Sequence, residues 1–160
     1  MANLITSDQV KAVVTPVVAL DPAFFDTSIQ YVEDSIICGI LTKDLYDALV
    51  LAVASPPLTA AYQTLYDIVV NAESYAVAFA GYTKDLERKT NNQGFMENHT
   101  QWSKSAQATE ANRLLASIKE REFFYCKQLG DFLIENAVDY PLFDAETINY
   151  SPNFRRFFPI

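Results

Sequence analysis

The stretch Leu58-Thr-Ala-Ala-Tyr-Gln-Thr-Leu-Tyr-Asp-Ile-Val-Val-Asn-Ala-Glu-Ser-Tyr-Ala-Val-Ala-Phe-Ala-Gly-Tyr-Thr-Lys-Asp-Leu86 places Leu58, Tyr62, Leu65, Val69, Ala72, Ala76, Phe79, Thr83 and Leu86 at steps of three or four. That spacing is the helical period, sustained for about eight turns or roughly 45 Å. A second long helix is predicted from Lys104 to Ala137, with Ala111, Leu114, Ile118, Tyr125, Leu129, Phe132 and Leu133 inward. Between them lies Thr90-Asn-Asn-Gln-Gly-Phe-Met-Glu-Asn-His-Thr-Gln-Trp102, whose Asn and Gly mark a turn. Phe95, Met96 and Trp102 are expected to anchor it to the body. Two long helices joined in this way make an antiparallel hairpin.

Upstream, Thr6-Ser7-Asp8-Gln9 has the spacing of a capping box and opens a short helix that stops near Val14, before Pro16. Asp21 before Pro22 predicts a helix start, and Phe25, Ile29, Val32, Ile36 and Ile40 form one buried stripe. Gly39 and Thr42 are expected to interrupt it. Thr42 is placed to cap a further helix with Leu45, Leu49 and Val53 inward, ended by Ser55-Pro56-Pro57. The fold class that follows is all-α: a four- to five-helix bundle over residues 1–143, built on the long hairpin, with an extended tail over 144–160.

Tyr66, Tyr75 and Tyr82 on the first long helix, and Phe123 and Phe124 on the second, widen the apolar surface beyond one stripe. Two readings stay open: each helix packs between two layers of its own domain, or each offers a second face to a neighbour.

Half of the 160 residues are apolar and one fifth are charged, which suits one domain with an ordinary core. A formal net charge of -8 argues against a surface that binds nucleic acid by neutralising phosphates. Asp8 and Lys11 interrupt the N-terminus, so no secretory leader is expected. The apolar run from Ala48 to Ala54 is far short of a membrane span. Cys38 and Cys126 sit in apolar stretches and read as buried small hydrophobes rather than a disulfide.

The chain has one histidine, His99, and no Cys-x-x-Cys, His-Glu-x-x-His or paired Glu-x-x-His. Glu73, Glu110, Glu120, Glu122 and Glu135 are helical carboxylates without accompanying histidines, and read as solvated faces. No Gly-rich phosphate loop or nucleophile elbow is present. Cys126 with the distant His99 is the only formal nucleophile and base. No catalytic residue, metal site or cofactor is expected, and the chain is not expected to be an enzyme.

The candidate binding residues lie in two places. The tail, Asp144-Ala-Glu-Thr-Ile-Asn-Tyr-Ser-Pro-Asn-Phe-Arg-Arg-Phe-Phe-Pro-Ile160, gathers Tyr150, Phe154, Phe157 and Phe158 around Arg155 and Arg156 without helical or strand period. Aromatic and arginine side chains dominate binding hot spots, and a disordered tail would be poor in aromatics. The tail therefore reads as a docking strap, against the alternative that it folds back on its own bundle. The hairpin loop, with Asn91, Asn92, Phe95 and Trp102, reads as a connector or as a second contact.

The segment Ile29-Gln-Tyr-Val-Glu-Asp-Ser-Ile-Ile-Cys-Gly-Ile-Leu-Thr-Lys-Asp-Leu-Tyr-Asp-Ala-Leu49 resembles the first core helix and following turn of the phage head-to-tail connector, or adaptor, proteins. It resembles in particular the versions found in tailed phages of Bacteroidetes hosts. The long alanine- and tyrosine-bearing helix and Lys89-Thr-Asn-Asn-Gln-Gly94, at the place of the family's polar loop, support the likeness, which covers about Asp21 to Phe143. One position departs: the turn glycine expected beside Lys43 is Thr42, with Gly39 three residues earlier.

The resemblance implies a virion protein at the head-tail interface, assembled in the host cytoplasm. It implies a dodecameric ring of copies of itself that joins the portal protein to neighbouring adaptor or tail rings. Genomic DNA would pass through the lumen without being gripped, and no membrane is involved. Alternatives are a tail-completion or stopper protein of the same particle, or a soluble acidic helical regulator that binds one protein.

Overall fold

The computed structural model describes residues 3–14, 23–91 and 101–144, without the side chains of 23–24, 85–91 and 101–111. Among these residues there are helices and no strand, so the expected all-α class is correct. The expected tail, residues 145–160, lies outside the described residues.

Helix α1, Ser7–Val14, opens with the capping box read from the sequence. The Thr6 N–H donates to Gln9 Oε1 at 2.8 Å and the Gln9 N–H to Thr6 Oγ1 at 3.3 Å, so two otherwise orphaned amides are satisfied reciprocally. Val10 and Val14 face inward.

Helix α2, Ala23–Val32, runs without a break through a π-helical turn, Glu33–Ile37, into a last α-turn, α3, Cys38–Leu41. The expected start at Asp21 and Pro22 lies outside the described residues. The wide turn is closed by the Cys38 N–H bonding to the Glu33 carbonyl. It inserts one residue into the helical register and so displaces the apolar stripe. Sequence periodicity puts Ile36 inward; the structure buries Ile37 completely and leaves Ile36 half-buried. Glu33, four residues after Ile29, opens the turn on the buried side and lies in the core.

Gly39 does not interrupt this rod. It lies within α3, and a Cβ built there would meet nothing within 4 Å, so the position needs no glycine. The interruption is Thr42 alone, with φ 67 and ψ 154. Its side chain makes no capping bond to α4, Lys43–Ala54. Instead Thr42 Oγ1 donates to the Leu142 carbonyl at 3.2 Å, which pins the chain after α6 to this corner.

Helix α5, Ala60–Asn91, has 32 residues, and α6, Gln101–Glu135, has 35. Thr59 caps α5, its hydroxyl accepting from the Tyr62 N–H at 3.3 Å. The Tyr75 and Tyr125 rings stack at 5.1 Å, and Tyr140 Oη donates to the Ala61 carbonyl at 2.9 Å. Pairings that link 75 with 125 and 61 with 140 can only come from an antiparallel hairpin. The two helices are longer than the sequence pattern marks: α5 continues to Asn91, and α6 begins before Trp102.

Every residue from Ala72 to Phe79 is buried, because α1, α2 and α6 surround α5. The second face of α5 is therefore used inside its own domain. Tyr66 on that face accepts from Gln9 Nε2 at 3.0 Å and donates to the Leu4 carbonyl at 3.1 Å, fastening the N-terminal segment. Helix α6 differs. Ile118, Glu122, Cys126, Leu129 and Leu133 form its inward stripe, while its other side faces solvent.

Candidate functional site

Two features of the described residues stand apart from ordinary helix packing. One is the outward side of α6. Phe123, Phe124 and Ile134 are 58%, 60% and 56% exposed. Steps of four and seven put Phe123, Lys127 and Ile134 on one line, with Glu120, Phe124 and Asp131 beside it. The rise from Phe123 to Ile134 is about 16 Å. Lys127 and Asp131 form an ion pair within the stripe, and Glu120 and Glu135 are exposed at its two ends. Arg121 marks one border: its Nη1 donates to Tyr75 Oη at 2.9 Å, and its guanidinium lies 5.7 Å from that ring. Beyond Ile134 the apolar surface continues onto the turn after the helix, where Val138 is 96% exposed.

The other feature is a pair of carboxyl groups in the core. Glu33 and Glu73 are both fully buried. Glu33 accepts from the Leu4 N–H at 2.6 Å through Oε1 and from the Tyr46 hydroxyl at 2.8 Å through Oε2. Neither oxygen of Glu73 meets a donor, and the group acting on it is the Glu33 carboxyl. Two ionised carboxylates offer acceptors only. With a proton on Glu73 the two can share a hydrogen bond, and burial first, then the charge of Glu33, raises the Glu73 pKa well above the ordinary value. Burial, and then the bond to Glu33, likewise pushes the Tyr46 phenol up.

Glu122 is buried separately on α6, one turn before Cys126. Burial pushes its carboxyl up to about 7, opposed by Lys119. The expectation that Glu73 and Glu122 are solvated is overturned, whereas Glu120 and Glu135 are exposed as expected. The side chain of Glu110 lies outside the described residues. The sequence carries a signal for Glu73: it sits four residues after Val69 and three before Ala76, inside the apolar stripe. Glu33 carries the same signal: it sits four residues after Ile29 and three before Ile36, inside the apolar stripe of its own helix.

Burial also raises the Cys126 thiol, with Glu122 adding to the shift, so the group stays protonated and packs as a small hydrophobe. Cys38 is half-buried, and neither cysteine is in a disulfide. Among the described residues no group of three or more His, Cys, Asp or Glu is placed to hold a metal ion. No described helix is long and apolar enough to cross a membrane.

Of the binding residues predicted from the sequence, Tyr150, Phe154, Arg155, Arg156, Phe157, Phe158, Asn92 and Phe95 lie outside the described residues, and so does His99, the formal base to Cys126. Asn91 is the last residue of α5 and Trp102 the second of α6, so both belong to helices rather than to the connecting loop. The outward stripe of α6 was foreshadowed by Phe123 and Phe124, which do widen that helix beyond its buried face.

The model of a family of unknown function, DUF6712, matches residues 37–153, well over half of the chain. The protein belongs to the DUF6712 family. The span matched takes in the Thr42 corner, the whole hairpin and the first part of the segment after Asp144. No curated protein and no solved structure matches this DUF6712 member.

Proposed function

We propose that this DUF6712 member is a structural ring subunit of a tailed phage, joining the portal vertex of the head to the tail around the DNA channel. The observation that carries the reading is the outward side of α6, where Phe123, Phe124 and Ile134 stand exposed on a bundle whose other long helix is enclosed. A subunit that closes a ring needs two lateral faces that complement each other without being identical. An aromatic helix face is suited to be one of them, since aromatics bury large area at low entropic cost.

The particle and the place are proposed from the resemblance of Ile29–Leu49 to the connector proteins, and the helix order is compatible with it. The net charge of -8 suits a conduit that must let phosphates slide past rather than hold them. The Arg- and Phe-rich C-terminal segment fits a strap to a neighbouring subunit. Under this reading the work is mechanical, and the buried carboxyls belong to the folding of the subunit.

Light scattering of the purified chain and electron microscopy of phage particles test the reading. Rings in solution and density at the head-tail junction, with the portal protein recovered alongside, are the expected results. A chain absent from particles overturns it.

A further inference from the structure

The geometry points to a seat for the C-terminal strap: the outward stripe of α6 receives the aromatic and arginine segment, Phe154 to Phe158, of a second copy of the chain. The inference rests on the self-assembly contained in the reading above, and it names the two surfaces that meet.

Three observations carry it. The first is chemistry. The stripe combines apolar and acidic groups, with Phe123 and Phe124 at one end and Ile134 at the other; Asp131 is paired with Lys127 within it, and Glu120 and Glu135 stand exposed at its two ends. The segment Phe154-Arg-Arg-Phe-Phe158 sets two adjacent arginines between phenylalanines. Arginine pairs with carboxylates and stacks on aromatic faces, so both halves of the segment find partners on the stripe.

The second observation is length. An extended chain advances about 3.3 Å per residue, so Phe154 to Phe158 covers about 13 Å, close to the rise of about 16 Å between Phe123 and Ile134. The ten residues from Asp144 to Phe154 span up to about 33 Å, enough to leave one bundle and reach the next.

The third is direction. After α6 the chain does not continue along the outward side. Tyr140 turns in to the Ala61 carbonyl, Phe143 is buried, and the Leu142 carbonyl is held by Thr42 at the junction of α3 and α4. The chain at Asp144 has thus crossed the end of the hairpin toward its inward side. The last described residue therefore lies away from the outward stripe of its own α6. The contact of a strap with a helix face is also head-to-tail by construction, as ring closure requires.

The test uses the full-length chain with Phe157→benzoylphenylalanine, a photoreactive replacement. Copies labelled with heavy nitrogen are refolded together with unlabelled copies, irradiated, and the joined peptides identified by mass spectrometry. Joining of the tail to the α6 peptide containing Phe123 and Phe124, in pairs of mixed label, is the expected result. Joining only within one label-matched chain, joining to another surface, or none, overturns the inference. In the same chain Phe123→Ser with Phe124→Ser should lower the joined yield at least tenfold while the thermal midpoint is kept; an unchanged yield also overturns it. The connector reading is decided elsewhere, by presence in particles, so a protein that joins as stated but is missing from particles loses that reading alone.

Discussion

The Tyr46 hydroxyl donates to Glu33 Oε2 at 2.8 Å, between α4 and a π-helical turn, while the backbone of Leu4 takes the other oxygen. One buried carboxyl thereby joins three separate parts of the chain. Such a group is tolerated in a core only while its acceptors are filled.

Removing the phenol tests that account. Tyr46→Phe leaves Glu33 Oε2 without its donor and should cost about 2 kcal/mol, since a bond to a charged group is worth more than a neutral one. Urea unfolding measures it. A change under about 0.5 kcal/mol would refute the role assigned to this bond.

Stability should also depend on pH in an uncommon direction. Burial holds Glu122 at about 7 in the folded protein against an ordinary 4.5, so folding favours the protonated form. Its contribution is complete below about pH 4.5 and is lost as the pH rises through about 7. Glu73, raised by burial and by Glu33, acts in the same direction. Unfolding free energy should fall by about 2 to 3 kcal/mol between pH 5 and pH 8 through Glu122 alone. Glu122→Gln should flatten that part of the profile, with denaturant midpoints at the two pH values as the measurement.

Thr42 occupies a backbone region, φ 67 and ψ 154, that is nearly reserved for glycine. The strain is of order 1–3 kcal/mol, and the bond to the Leu142 carbonyl returns roughly 1 kcal/mol. Thr42→Gly should therefore raise stability by about 1 kcal/mol, whereas Thr42→Val keeps the strain, loses the bond and should lower it by about as much. Thermal melts of the two variants would be expected to move in opposite directions. Melts that move together would exclude the strain.

Deleting residues 153–160 should leave the helical circular dichroism and the melting temperature of the bundle in place, because the helices from Ser7 to Glu135 bury a core of their own. Assembly should weaken. Light scattering of the shortened chain at matched concentration decides it, and unchanged assembly would remove the docking role of the strap.

The hairpin was legible in the sequence because its signal is long: an apolar step repeated over eight turns leaves little room for another structure. The capping box at Thr6 and Gln9 was legible because both partners are local. What escaped is non-local or aperiodic. The π-turn at Glu33 carries no repeat, so the inward residue reads as Ile36 when it is Ile37. Glu73 and Glu122 read as surface because a carboxylate usually is, although each stands four residues after an inward residue, Val69 and Ile118, at the spacing of a buried stripe. Thr42 reads as a cap by residue type, yet its hydroxyl serves a carbonyl a hundred residues away. The outward stripe of α6 was visible only as surplus aromatic residues; which helix kept its surplus exposed depended on packing.

The enclosure of α5 has a consequence for how this chain can change. Between Ala72 and Phe79 the helix has neighbours on all sides, and small residues such as Ala72, Ser74, Ala76 and Ala78 set how closely those neighbours approach. Enlarging any of them would push a whole helix outward, so this segment is closed to innovation. The outward side of α6 is bound by no such condition. A lineage could rewrite Phe123, Phe124 or Ile134 to suit a different neighbour while the axle of the molecule stayed as it is, and the two would evolve at separate rates within one domain.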